Sequence, residues 1–173
     1  MRKIFSPEDV FRLLGEKVRT ELKLDCEIAG IRAQAAAQCG SNATINEIYK
    51  QIRKSTNLTD DDIVGIMQLE KDTDIDLCIA RRDIADLYEY CLTCGKEVYF
   101  ISDMYYTLQD IKCILDKCGV TIPDDEHIWI SCEKKSDKVS GSIWKEYSEL
   151  VGKDVKCLSL IHISEPTRLR RIS

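Results

Sequence analysis

No apolar run among these 173 residues approaches the roughly 20 residues that cross a bilayer. The N-terminus also lacks the positive-then-apolar layout of a secretion signal, so a cytoplasmic protein is expected. Basic clustering is absent too: 25 Lys and Arg stand against 30 Asp and Glu, and the positive charges are scattered. With a net charge of −5 there is no electrostatic footprint for nucleic acid. Histidine is scarce, with only His127 and His162, and Cys91-Leu-Thr-Cys94 is the one C-x-x-C spacing. A structural zinc site needs a second pair of ligands at similar spacing, and none follows. Cys91 is expected to pack on the apolar face of its helix, with Cys94 near the helix end and His127 in a strand. The acidic group Asp60-Asp-Asp62 lacks the spaced ligands and glycine of a calcium loop, and compensation of a helix dipole accounts for it. Nine cysteines without a secretion signal read as reduced, semi-buried thiols rather than as a disulfide framework.

What is present suffices for a core. The hydrophobic share is 44%, and a chain of this length holds one domain, or a small domain with an insertion. Up to Gly95 the pattern is helical throughout. Ser6-Pro7-Glu8-Asp9 is a helix start, with an N-cap serine, a first-position proline and acids in the first turn. Val10, Phe11, Leu14, Val18 and Leu22 continue its apolar stripe. A second helix is expected from about Asp25 to Cys39, stopped by Gly40. Thr44 with Glu47 predicts a capping box for a third, carrying Ile45, Ile48, Tyr49 and Ile52 on one face. Thr59 with Asp62 begins a fourth through Ile63, Ile66 and Met67. A fifth presents Ile84, Leu87, Tyr88 and Cys91 before Gly95. A run of helices without intervening strands predicts a segregated helical layer in which four or five of these helices pack on one another rather than flanking the sheet on both faces.

Past Gly95 the period changes. Val98 to Ile101 is a short unbroken apolar run that ends in small and charged residues, as a fully buried parallel strand does where it meets a binding loop. Thr107 and Asp110 cap a helix whose apolar positions are Leu108, Ile111, Ile114, Leu115 and Cys118, and Gly119 closes it. Ile128-Trp-Ile130 follows the turn at Pro123, so residues 97 to 131 read as one β-α-β unit. Ligands sit at the carboxyl ends of such strands, which are occupied by Ser102 with Asp103 and by Ser131 with Glu133. Taken alone, Ser102 is the kind of residue that caps a strand end. By charge alone Lys134, Lys135 and Lys138 are equivalent members of one polar loop.

Phe100-Ile-Ser-Asp-Met-Tyr105, followed by Ser131-Cys-Glu133 and Ser136-Asp-Lys-Val-Ser-Gly141, resembles the haloacid-dehalogenase-like (HAD) hydrolase superfamily. Within it the likeness is to a bacterial branch often found ahead of glycosyltransferase domains, and it covers roughly residues 1 to 157. The resemblance implies an α/β fold, in which residues 1–95 form an α-helical cap region and residues 96–157 a partial Rossmannoid core with a parallel sheet. It implies that Ser102 and Lys138 hold a phosphoryl group and that Lys138 serves catalysis. A phosphorylated small molecule is the implied substrate, Mg²⁺ the implied cofactor, and a fused glycosyltransferase domain a possible neighbour. The family's Asp-x-x-Asp-Thr nucleophile loop and its late acidic metal motif are not found. The expectation is therefore of a Mg²⁺-dependent phosphohydrolase or phosphotransferase acting through an aspartyl-phosphate in an intact parent, with this chain alone inactive. The rival is a non-catalytic helical and α/β interaction module attached to a larger enzyme, such as a glycosyltransferase.

The run Leu158-Ser-Leu-Ile-His-Ile-Ser-Glu-Pro-Thr-Arg168 resembles the translation of a sequencing-library adapter. Residues 158–173 are therefore expected to be an artefact rather than native sequence. A final core strand over Leu158 to Ile163 is the competing reading.

Overall fold

In the computed structural model the described residues are 7–122, 124–152, 157–160 and 169–172. Four helices, α1 (Pro7–Glu21), α2 (Ile28–Cys39), α3 (Ile45–Ser55) and α4 (Asp60–Leu77), pack on one another as a bundle. Their apolar stripes supply its interior: Leu14 and Val18 from α1, Ile28 and Ala35 from α2, Ile45, Ile48, Tyr49 and Ile52 from α3, and Ile63, Ile66 and Leu69 from α4. The capping boxes Thr44/Glu47 and Thr59/Asp62 form as the sequence predicts. The Ser6 N-cap falls outside the described residues. α2 begins at Ile28 rather than near Asp25, because the Glu27 side chain accepts the Gly30 amide at 2.8 Å and caps the helix there.

α5 (Arg82–Thr93) stands outside this four-helix bundle. Its buried Tyr88 meets the Phe100 ring edge-on at 5.2 Å and donates to the Thr121 carbonyl at 2.7 Å, which ties it to the sheet. Gly95, at φ 66°, ends α5, with the Lys96 amide reaching back to the Cys91 carbonyl at 2.9 Å. A side chain at that φ would be strained, which is why glycine stands there.

β1 (Phe100–Ser102), α6 (Leu108–Lys117), a 3₁₀ turn (Asp125–His127) and β2 (Ile128–Ile130) make the β-α-β unit. β1 and β2 pair in parallel, with Phe100 opposite Ile128, Ile101 opposite Trp129 and Ser102 opposite Ile130. The first strand is shorter and less buried than expected. The strand starts at Phe100 rather than Val98, and it is half-buried, whereas β2 is buried throughout. Ile128 and Ile130 belong to the common core and β1 does not, so β1 runs along the margin of the packed interior. His127 lies in the 3₁₀ turn rather than in a strand. No strand occurs between residues 8 and 90, where Cys78 alone holds a single bridge position.

Two further helices, α7 (Ser131–Lys134) and α8 (Ser142–Val151), follow β2. The bundle and the β-α-β unit share one continuous hydrophobic core, in which Tyr106, Ile111, Ile128, Ile130 and Cys132 join the bundle's residues. β3 (Cys157–Leu160) and β4 (Leu169–Ile172) pair antiparallel in a separate two-stranded sheet. As described, the strand at 157–160 does not extend the parallel sheet.

Candidate functional site

The carboxyl edge of β1 and β2 is where the chain's singled-out residues meet. Ser102 ends β1, half-buried, and among the described residues no hydrogen bond engages its hydroxyl. Asp103 follows it, and the Lys138 backbone amide donates to this carboxylate at 3.2 and 3.4 Å. The loop after β2 is thereby drawn against the loop after β1, 35 residues away in sequence. Burial lowers the pKa of the Lys138 ammonium below its ordinary 10.5, and the Asp103 charge opposes that only in part.

The loop around Lys138 is built by its own short side chains. The buried Ser136 donates to the Ser142 hydroxyl at 2.7 Å, and the Asp137 amide donates to the same oxygen at 3.2 Å. The Ser140 amide donates to Asp137 at 2.7 Å, and this amide chiefly holds the Asp137 carboxyl below its usual range. Asn42, from the bundle's α2–α3 connection, donates to the other Asp137 oxygen at 3.4 Å.

Structure separates the three lysines that charge alone cannot. Lys134 lies over the Trp129 ring at 4.3 Å, and Lys135 donates to the Asn42 carbonyl at 3.1 Å beside Glu47. Among the described residues the Lys138 ammonium makes no hydrogen bond or ion pair within contact distance and feels only the nearby Asp103 charge, so of the three it is the least engaged. Ser131 and Glu133, at the end of β2, have structural engagements. Ser131 donates to the Met104 carbonyl at 3.4 Å, and Glu133 accepts the Leu108 amide at 2.8 Å, adding to the Thr107/Asp110 capping box at the start of α6.

Sequence reasoning missed the groups that hold the β1 loop from the bundle side. Arg32 and Glu70 form a bidentate ion pair at 2.9 and 2.9 Å with side chains 1% and 0% exposed. Tyr49 donates to Glu70 at 2.7 Å. The Arg32 guanidinium sits over the Tyr105 ring at 4.6 Å, and Tyr106 donates to the buried Asp74 at 2.6 Å. Burial works to lower the Arg32 pKa, but the Glu70 carboxylate overrides it and the cation is held. Burial pushes the Tyr49 and Tyr106 hydroxyls far above the ordinary phenol range, so both stay protonated donors. A signal existed: Arg32 shares the inward face of α2 with Ile28 and Ala35, and Glu70 and Asp74 continue the inward face of α4 from Ile63 and Ile66. Opposite charges on two apolar stripes are the mark of a buried pair.

Cys91 is half-buried on α5 and Cys94 exposed at its end, and both are free thiols, as are Cys26, Cys39, Cys78, Cys113, Cys118 and Cys132. No three Asp, Glu, His or Cys side chains among the described residues form a group able to hold a metal ion. Asp103, alone at the strand end with its carboxylate turned to the Lys138 amide, does not make a Mg²⁺ site. No helix among the described residues is long and apolar enough to cross a membrane. No known family model matches the chain, and no curated protein matches it.

Proposed function

We propose that this chain contributes the phosphate-holding groups of a HAD-like phosphohydrolase or phosphotransferase, whose intact parent acts on a phosphorylated small molecule through an aspartyl-phosphate. In this reading α1 to α4 form the cap, and β1-α6-β2 is part of a Rossmannoid core. The supporting observation is the junction of the two strand-end loops: the Lys138 amide bonded to Asp103, with the Ser102 hydroxyl next in sequence and the Lys138 ammonium the least engaged of the three lysines among the described residues. A hydroxyl and adjacent amides donate to phosphate oxygens without adding charge, and an ammonium offsets the charge those oxygens carry. Asp103 would repel a bound anion if it faced the site. Its bond to the Lys138 amide gives that carboxylate a different task, the bracing of the lysine loop. The described residues do not fit a Mg²⁺ site, so no step here runs through the metal. A cytoplasmic location and a fused glycosyltransferase domain belong to the same proposal.

The test is titration of the chain with inorganic phosphate, followed by calorimetry. Lys138→Ala and Ser102→Ala should each weaken binding by about tenfold, the worth of one charge-assisted donor, and Lys134→Ala should leave it unchanged. Equal losses from Lys134→Ala and Lys138→Ala would mean a diffuse positive surface, and the assignment to Lys138 would fall. Wild-type protein that binds no phosphate would favour the non-catalytic interaction module instead.

A further inference from the structure

The loop Ser102–Tyr106 is gripped from the bundle at three points. Tyr106 donates its hydroxyl to Asp74 on α4 at 2.6 Å. Tyr105 offers its ring face to the Arg32 guanidinium at 4.6 Å, and Arg32 is itself fixed on both nitrogens by Glu70. The Tyr105 carbonyl accepts the Ile45 amide at 2.7 Å, so the first turn of α3 also holds the loop backbone. Tyr106, Arg32, Glu70 and Asp74 are each about 1% exposed, which removes competition from water for the Tyr106–Asp74 and Arg32–Glu70 contacts. Burying two carboxylates and a guanidinium is costly, and a bundle of this size could have closed with apolar residues at 32, 70 and 74. The charges converge instead on the two tyrosines that follow the strand-end Ser-Asp pair.

We infer that the helical bundle is a positioning device for the strand-end loop: Arg32, oriented by Glu70, and Asp74 fix Tyr105 and Tyr106 and thereby set the place of Ser102 and Asp103. These are positioning residues, since none is shown to touch a ligand. The geometric part stands on the contacts alone, and its consequence for phosphate binding rests on the function proposed above.

Two readouts on the full chain separate those parts. Hydrogen exchange of the amides in 102–107 reports the grip directly. Tyr106→Phe, which removes only the hydroxyl, and Tyr105→Leu, which removes the ring face, should each speed exchange there by about tenfold while circular dichroism shows the helices intact. Ile52→Val, a core trim two turns farther along α3, should lower the melting temperature without changing exchange in 102–107. The inorganic phosphate dissociation constant should rise by about tenfold in Tyr106→Phe and Tyr105→Leu and remain unchanged in Ile52→Val. Unchanged loop exchange, or an equal change in Ile52→Val, overturns the inference. Faster exchange with unaltered phosphate affinity overturns the positioning role. Faster exchange in a chain whose wild type binds no phosphate leaves the grip standing and removes the phosphate reading alone.

Discussion

Arg32 and Glu70 are the residues on which most depends energetically. Each is buried beyond the reach of water, so removing one strands the other as an uncompensated charge. Arg32→Met or Glu70→Gln should cost about 3 to 5 kcal/mol in urea denaturation, while Arg32→Met combined with Glu70→Leu should recover most of that loss. A double variant as unstable as either single one would show that the pair stabilises the fold beyond its desolvation cost. Lys138 carries the pH dependence. Its folded pKa lies below the ordinary 10.5, so as pH rises the ammonium of the folded chain loses its proton earlier than a free lysine would. Phosphate affinity should therefore fall along an alkaline limb placed below 10.5, and Lys138→Arg should shift that limb beyond it. For stability the sign is reversed. The unfolded chain holds the proton more tightly between the two pKa values, so the cost of burying the charge is relieved and stability rises as pH climbs through that window. A phosphate-binding limb at or above the free-lysine position would contradict the burial of this ammonium.

At the scale of elements, the caps decide where the helices begin and so where the loops between them fall. Thr44 closes a reciprocal box with Glu47, and the same connection carries Asn42 toward the Asp137 loop. Thr107 does likewise with Asp110, whose other oxygen meets Lys71 of α4 at 2.9 Å. Thr44→Ala and Thr107→Ala should each cost about 1 kcal/mol, measured by denaturant titration. Both should also loosen the edge on which Ser102 lies, because the α6 start follows that loop directly and the α3 start holds the Tyr105 carbonyl through the Ile45 amide. The β1-β2 pair is short, three residues in each strand, and it is the flanking elements that cover it. α5 contributes Tyr88 against Phe100, and Tyr147 of α8 packs edge-on against Tyr99 and Trp129 at 5.2 and 6.0 Å.

Across the whole molecule, the bundle and the β-α-β unit are joined by one interior rather than by a linker. Tyr106, Ile111, Ile128 and Ile130 sit in the same cluster as Leu14, Ile45 and Ile66. Unfolding should accordingly be cooperative, with helical ellipticity and tryptophan fluorescence changing at the same denaturant concentration. Ile130→Val should shift both transitions together by about 1 kcal/mol. Separate midpoints for the two probes would mean that the helical and α/β parts stand independently.

The succession of helices before Gly95, the capping boxes and the two strand ends were legible in the residues, because each depends on neighbours within about four positions or on a simple period. Thr44 with Glu47, Thr59 with Asp62, and Thr107 with Asp110 need no knowledge of the fold, and neither does the placing of Ser102 after an apolar run. What only the tertiary structure decided is which distant groups meet. Arg32 finds Glu70 across 38 residues, Tyr106 finds Asp74 across 32, and the Lys138 amide finds Asp103 across 35. The half-buried state of β1 and the turning of α5 toward the sheet are of the same kind. Periodicity says that a face is turned inward, but the partner it meets there, and whether a charge on it is paired or stranded, is set by how the helices and strands pack in three dimensions.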